Sequence, residues 1–294
     1  MAYFRYALFF IIIFFLGQFF LTYLCSLSVT TSKFRFSRLY TGELKYEIVA
    51  IGNSRAVNSF HAPYIKEEFG YSSFNLAYNG LTPELTLLIS EDYLDFNDSP
   101  QKIFIEISNY FSGEDKITNQ FNLYAQYSAR IDSLVNSTVE SRIINEVFTL
   151  YAFNNQLWLR NLFYTNKTDQ FWISNYQINE ELVNSIEGID PFKVSVAQKD
   201  LDYMSKFLDT CKKKNIEVIL YLAPYYPSYR DKMINLDTTL HFMSKELNSE
   251  IMDLSNFLSG REFFSDRLHT NVNGAKSLSN ALLDQSLQQR EREH

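Results

Sequence analysis

The sequence predicts an α/β fold, a three-layer sandwich around a central parallel sheet of about five strands. Two observations predict it. Five short runs carry continuous β-branched and aliphatic residues rather than alternating ones, the pattern of strands covered on both faces. Between most of them lie stretches with apolar residues at helical spacing, and strand–helix alternation builds parallel sheets through right-handed crossovers.

In chain order, the first element is not part of the sandwich. No charged residue occurs from Tyr6 to Ser32, and Ala7 to Leu27 is dominated by Phe, Ile and Leu. About 20 apolar residues match the hydrocarbon thickness of a bilayer, so residues 1–32 read as a membrane anchor formed by one transmembrane helix. A cleaved signal peptide is the alternative. Its apolar core is usually shorter, about 7–15 residues, and no small-residue cleavage site follows here. Arg5 precedes the span while Lys33, Arg35, Arg38 and Lys45 follow it, so counting positive charges places the body, 33–294, in the cytoplasm.

The predicted strands are Tyr46–Ile51, Ser73–Ala77, Lys102–Ile107, Ile216–Leu222 and Glu250–Leu254. Helices are predicted over Pro83–Phe96, with Pro in the first turn, and over Val196–Lys214, Arg230–Leu247 and Asn273–Gln289. One stretch breaks the rhythm. About 110–192 separates the third and fourth strands, is rich in aromatics and Asn, and reads as a mostly helical insertion that includes a helix over Ser133–Tyr151. It forms either a cap over a site or extra helices on the sheet edge.

Composition excludes some functions. A net charge of −7 offers no clustered cations for phosphate, so nucleic acid is not an expected partner. The two cysteines, Cys25 and Cys211, give neither a disulfide framework nor metal-ligand spacing, and no metal or cofactor is expected.

The residues that could carry chemistry fall at strand ends, where α/β sheets bind ligands. Gly52-Asn53-Ser54-Arg55 follows the first strand and would present the Ser54 hydroxyl to a cleft. Ordinary turn and cap chemistry explains the same residue types. Asp266-Arg267-Leu268-His269 follows the last strand and precedes the last helix. A serine nucleophile needs a base and the base needs an orienting carboxylate; an Asp three residues before a His can fold back onto the imidazole. Asn79-Gly80 ends the second strand, and a glycine there lets a backbone N–H approach an oxyanion. Asn109, just past the third strand, could donate from its side chain. Glu106 on that strand could pair with Arg55. Arg55 and Asn79, beside these turns, are expected to contact substrate.

These blocks, in this order, resemble the SGNH (GDSL-like) hydrolase superfamily: Gly52-Asn53-Ser54, Gly80, Asn109 and Asp266-x-x-His269. The third block reads Glu106-Ile107-Ser108-Asn109-Tyr110 where the family usually has Gly-x-Asn-Asp, and Asn53 stands where Asp is common. The resemblance implies a flavodoxin-like sandwich and a serine esterase or acyltransferase. Ser54 would be the nucleophile, His269 its base and Asp266 the orienting acid. The N–H groups of Ser54 and Gly80, with Asn109, would form the oxyanion hole. With its N-terminal span and Pro224-Tyr225-Tyr226-Pro227, the chain looks closer to the membrane-anchored branch, similar to proteins of cell-surface polymer acylation of the D-alanyl-transfer and alginate-acetylation types. That branch implies an extracytoplasmic body, opposite to the charge count. It also implies an O-acetylated carbohydrate polymer or acyl donor as substrate, lipid contact through the anchor, and work beside a multi-span membrane acyltransferase. The rival reading is a catalytically silent, membrane-tethered protein that binds a glycan or partner.

Overall fold

A computed structural model describes residues 2–111, 117–167 and 172–293. Parts of the expected insertion, 112–116 and 168–171, lie outside the described residues. The helices are α1 (Ala2–Thr31), α2 (Arg35–Tyr40), α3 (Ser54–Ser59), α4 (Ala62–Phe69), α5 (Pro83–Phe96), α6 (Ala129–Val135), α7 (Val139–Val147), α8 (Gln156–Phe163), α9 (Glu180–Glu187), α10 (Gln198–Lys213), α11 (Pro227–Arg230), α12 (Leu236–Leu247) and α13 (Val272–Glu293). The strands are β1 (Ile48–Ile51), β2 (Ser73–Asn75), β3 (Lys102–Glu106), β4 (Glu217–Leu222) and β5 (Ile251–Asp253).

The chain forms two compact units. One comprises Met1–Leu44, Asp95–Asn97 and Lys116–Asp169; the other comprises Lys45–Leu94, Asp98–Asp115 and Gln170–His294. The second unit holds the sheet. All five strands are parallel, in the order β2-β1-β3-β4-β5. This is the flavodoxin-like, doubly wound order, and the expected α/β class is what the chain adopts. Register pairs Val49 with Phe74 and Ile103, Phe104 with Ile219, and Tyr221 with Met252.

Every residue of β1 and β3 is buried, which requires cover on both faces. On one face Ile48, Ala50, Phe104, Ile219 and Tyr221 pack with Ile65 of α4 and Leu278, Leu282 and Leu283 of α13. The alternate residues Val49, Ile51, Ile103, Ile105, Leu220 and Leu222 point the other way and are also buried. Helix α10 buries Leu201, Met204, Phe207 and Cys211, a stripe at spacings of three and four, and lies against β4 and α12.

The first unit is built from α1, α2, α6, α7, α8 and short 3-10 turns. Its core is aromatic: Phe36 meets Phe121 edge-on at 4.9 Å, and Phe34 stacks on Tyr164 at 5.7 Å. The fully buried Asn161 ties it together. Its Nδ2 donates to the Tyr124 hydroxyl at 2.8 Å, and its carbonyl accepts from Ser32 Oγ at 2.8 Å. The expected insertion is therefore divided: α6 to α8 belong with α1, whereas α9 and Phe192 belong with the sheet.

Two helix expectations are corrected. The helix read over Ser133–Tyr151 is broken, because α6 ends at Val135 and Thr138 starts α7 anew. Thr138 Oγ1 accepts from the Ser141 N–H at 3.1 Å while Ser141 Oγ accepts from the Thr138 N–H at 3.3 Å, a reciprocal cap. The helix read over Arg230–Leu247 starts at Leu236. Before it the chain runs beside Phe192, and Asn235 clamps Val194 through its side chain. Strands β2 and β5 are shorter than read, three residues each.

Candidate active site

The site begins at a glycine. Gly52 ends β1 with φ +141°, a conformation closed to ordinary side chains, and an added Cβ would stand 2.8 Å from Ala56 Cβ and 3.0 Å from the Glu106 carbonyl. This tight turn lets Asn53 cap α3: its Oδ1 accepts from the Arg55 N–H at 2.8 Å, and its Nδ2 donates to Ser108 Oγ at 3.3 Å. Ser54 is the first residue of α3, so its own N–H has no acceptor within the helix.

The second half comes from the loop before α13. Asp266 Oδ1 accepts from the N–H groups of Leu268 at 2.7 Å and His269 at 2.9 Å, closing the Asp-x-x-His segment into one turn. Its Oδ2 meets His269 Nδ1 at 2.9 Å. The opposite ring atom, Nε2, meets Ser54 Oγ at 2.8 Å. A carboxylate on Nδ1 takes that nitrogen's proton as a donor, which leaves Nε2 as acceptor for the serine hydroxyl. The loop is held from behind. Asn271 Oδ1 caps α13 by accepting from Asn273 N at 3.0 Å and Gly274 N at 3.2 Å, and Thr270 Oγ1 donates to the Asn58 carbonyl at the end of α3 at 2.5 Å.

Burial pushes the Asp266 carboxyl up. The hydrogen bond and charge of the His269 ring, with the N–H groups of Leu268 and His269, outweigh that and hold it below the ordinary carboxylate range.

Arg55 lies beneath these residues, 5% exposed. Its Nε donates to Glu106 Oε1 at 3.3 Å, one terminal nitrogen donates to the Leu268 carbonyl, and the other donates to the carbonyls of Ala223 and Pro224. The guanidinium stacks on Tyr225 at 3.4 Å. Glu106, fully buried, accepts from Ser108 Oγ at 2.7 Å, Ser108 N at 3.2 Å and Ala223 N at 3.3 Å. The pairing of Arg55 with Glu106 is thus present. Arg55, expected to contact substrate, lines the cleft beside Ser54, with its guanidinium donors taken up by these protein partners.

Gly80 stands in the turn after β2 with φ +80° and lines the cleft beside Ser54. Asn79 is exposed on the same turn and does not line that cleft. Asn109, 2% exposed, points its Nδ2 at Thr86 Oγ1 at 3.1 Å and the Leu81 carbonyl at 3.4 Å. Asn109, expected as a side-chain oxyanion donor, lines the cleft with Ser54 and Gly80 while its amide donates to these two acceptors. That amide holds the residue next to Gly80.

The cleft over Ser54 and His269 encloses about 420 Å³. Sequence reasoning missed much of its wall: Phe192, Val194, Tyr225, Tyr229 and Met233. Only the aromatic density of Pro224-Tyr225-Tyr226-Pro227 hinted at it. Among the described residues no cluster of His, Cys, Asp and Glu could hold a metal ion.

No family model and no curated protein matches this chain. Solved structures do. A candidate platelet activating factor from Streptococcus pneumoniae is 14% identical with a TM-score of 0.44, covering 85% of this chain and 88% of its own. A candidate acylhydrolase from Bacteroides fragilis is 15% identical with a TM-score of 0.39, covering 83% and 86%. A candidate lipolytic protein of the G-D-S-L family from Desulfitobacterium hafniense is 11% identical with a TM-score of 0.40, covering 80% and 97%.

Proposed function

We propose that this chain is a serine-dependent acyl-ester hydrolase or acyl-transfer enzyme that works through Ser54, His269 and Asp266. The observation that carries the reading is the chain of contacts Ser54 Oγ–His269 Nε2 at 2.8 Å and His269 Nδ1–Asp266 Oδ2 at 2.9 Å, at the mouth of a cleft. Ser54 and the Asp266–His269 turn come from opposite ends of the sequence, and the SGNH-like motif order supports the same roles.

In this reading Ser54 Oγ attacks the ester carbonyl as its proton passes to His269 Nε2. The carbonyl oxygen becomes an oxyanion held by the N–H groups of Ser54 and Gly80. Its collapse breaks the ester C–O bond, the leaving alcohol takes the proton from Nε2, and an acyl group remains on Ser54. A second alcohol or a water, deprotonated by His269, attacks that acyl group and frees Ser54. Water gives hydrolysis and a sugar hydroxyl gives transfer. Asn109 positions the Gly80 turn, and Arg55 positions the His269 loop through the Leu268 carbonyl.

The acceptor or donor we infer is an O-acylated carbohydrate polymer, for which the aromatic wall of Phe192, Tyr225 and Tyr229 offers a stacking surface. Among the described residues one helix, Tyr3–Thr31, is long and apolar enough to cross a membrane. We read it as a retained anchor with the body on the extracytoplasmic side, beside a membrane acyltransferase.

The test is labelling of the full chain in detergent with a fluorophosphonate probe. The parent chain is expected to be labelled, Ser54→Ala unlabelled, and His269→Ala labelled far more slowly. A folded parent that resists the probe and does not cleave an acetyl ester would sink the catalytic reading and favour the silent binding protein.

A further inference from the structure

Helices α7 and α8 carry apolar side chains that the fold leaves uncovered. On α7, Val139, Ile143 and Val147 recur every fourth residue, with Val139 77% and Ile143 55% exposed, and no side chain of this helix is buried. On α8, Leu159, Leu162 and Phe163 form a second such stripe. Phe148 and Tyr151, between the helices, are exposed as well. Single exposed apolar residues are normal; stripes on successive helices need an occupant.

The contacts of these elements with α1 say what the occupant is. The polar residues of α1 turn toward this segment. Gln18, 5% exposed, donates from Nε2 to the Val147 carbonyl at 2.8 Å, closing an open carbonyl at the end of α7. Thr22 Oγ1 meets Thr149 Oγ1 at 2.7 Å, and Trp158 Nε1 donates to Ser28 Oγ at 3.2 Å. The rest of α1 around these residues, Phe19, Phe20, Tyr23, Leu24 and Leu27, is exposed and apolar. Polar groups paired inward with apolar groups turned outward is the arrangement hydrocarbon demands. Depth follows from helix geometry. Gln18 lies roughly 20 Å along the axis from Arg5, the last charge before the span, at ~1.5 Å per residue in a core of ~30 Å. The Val147 end of α7 then sits about 10 Å below the far surface, the depth of an in-plane amphipathic helix, whereas Ser28, which holds Trp158 of α8, lies roughly 35 Å from Arg5, at headgroup level.

We propose that α7 and the following 3-10 turn are seated in the membrane leaflet at the C-terminal end of α1, with α8 at its headgroup surface, and that α1 and this segment together form one membrane foot. This rests on α1 being a retained span.

The test is nitroxide accessibility in the full chain reconstituted into phosphatidylethanolamine–phosphatidylglycerol vesicles. Single cysteines are placed at Ile143, Leu159 and Phe163, with Val139 and Leu162 as second sites should a label disturb the fold. Cys25→Ser is the background. Cys211 is fully buried, and burial pushes its thiol up to about 12, so it stays unlabelled. Phe9→Cys on the span and Lys213→Cys on exposed α10 are the lipid and water references. The expected result is an oxygen-over-nickel preference at Ile143→Cys approaching that at Phe9→Cys, a smaller one at Leu159→Cys and Phe163→Cys, and its reversal at Lys213→Cys. Nickel preference at the three sites with Phe9→Cys in lipid overturns the proposal and leaves the span standing. Nickel preference at Phe9→Cys too overturns both. Shielding of the three sites from oxygen and nickel alike overturns it in favour of a second copy covering the face. Serine labelling reads independently of all these outcomes.

Discussion

Asp266 is the residue whose environment makes the most definite statement. Its two oxygens have separate tasks, one closing the turn on Leu268 and His269 and the other holding the imidazole. Asp266→Asn keeps the shape but can donate to Nδ1, favouring the tautomer that turns a proton toward Ser54. Turnover of an acetyl ester is expected to fall about 10³- to 10⁴-fold with little change in KM. Because the folded carboxyl lies below its unfolded value near ~3.9, its contribution to stability is complete above that value and is lost as pH falls through the folded one. Acid unfolding of Asp266→Asn should lack that component. His61 makes the complementary case. Burial is the main cause that lowers it, with Lys276 adding to the effect, and its Nδ1 accepts from Tyr64 N at 3.0 Å as the cap of α4. A histidine depressed in the fold stabilises fully above its unfolded value near ~6.5 and less as pH drops toward the folded value. His61→Asn retains a capping side chain without the titration. Its melting temperature should therefore fall less than the parent's between about pH 8 and about pH 5.

At the scale of elements, two turns decide where side chains point. Gly52→Ala has to place a methyl against Ala56 and the Glu106 carbonyl at φ +141°. A loss well above about 1 kcal/mol is expected in chemical denaturation, together with loss of serine labelling as α3 shifts. Thr138 is exposed and does not line the cleft, yet its cap divides what would otherwise be one long helix. Thr138→Ala should cost about 1 kcal/mol and leave serine labelling intact. The outcome distinguishes local fraying of α7 from damage at the site.

At the scale of the sheet unit, the Arg55–Glu106 pair gathers four segments: α3, β3, the end of β4 and the His269 loop. Removing one partner strands a buried charge, which typically costs about 3–5 kcal/mol. Arg55→Met is expected to lose stability in that range. Arg55→Lys keeps the charge but cannot serve the three carbonyls and the carboxylate in one plane, so it should fold while esterase turnover drops. A loss in turnover with an unchanged melting curve would mark Arg55 as positioning His269 rather than merely supporting the sheet.

The sequence by itself determined the five strands, their parallel class, the apolar N-terminal helix and the positions of Ser54, Asp266 and His269. Continuous apolar runs, helical periodicity and the Asp-x-x-His spacing are local signals, read within one or two turns of chain. The boundaries that failed were set by capping contacts and by Asn235 gripping Val194, which sequence periodicity does not record. Only tertiary structure decided which way Asn109 donates, which carbonyls hold Arg55, and that Phe192 and Tyr229 wall the cleft, because each depends on segments distant in sequence being brought side by side. The same holds for the insertion. Its amphipathic stripes were present in the sequence, but their division between a unit built on α1 and a unit built on the sheet follows from which buried partners each piece finds.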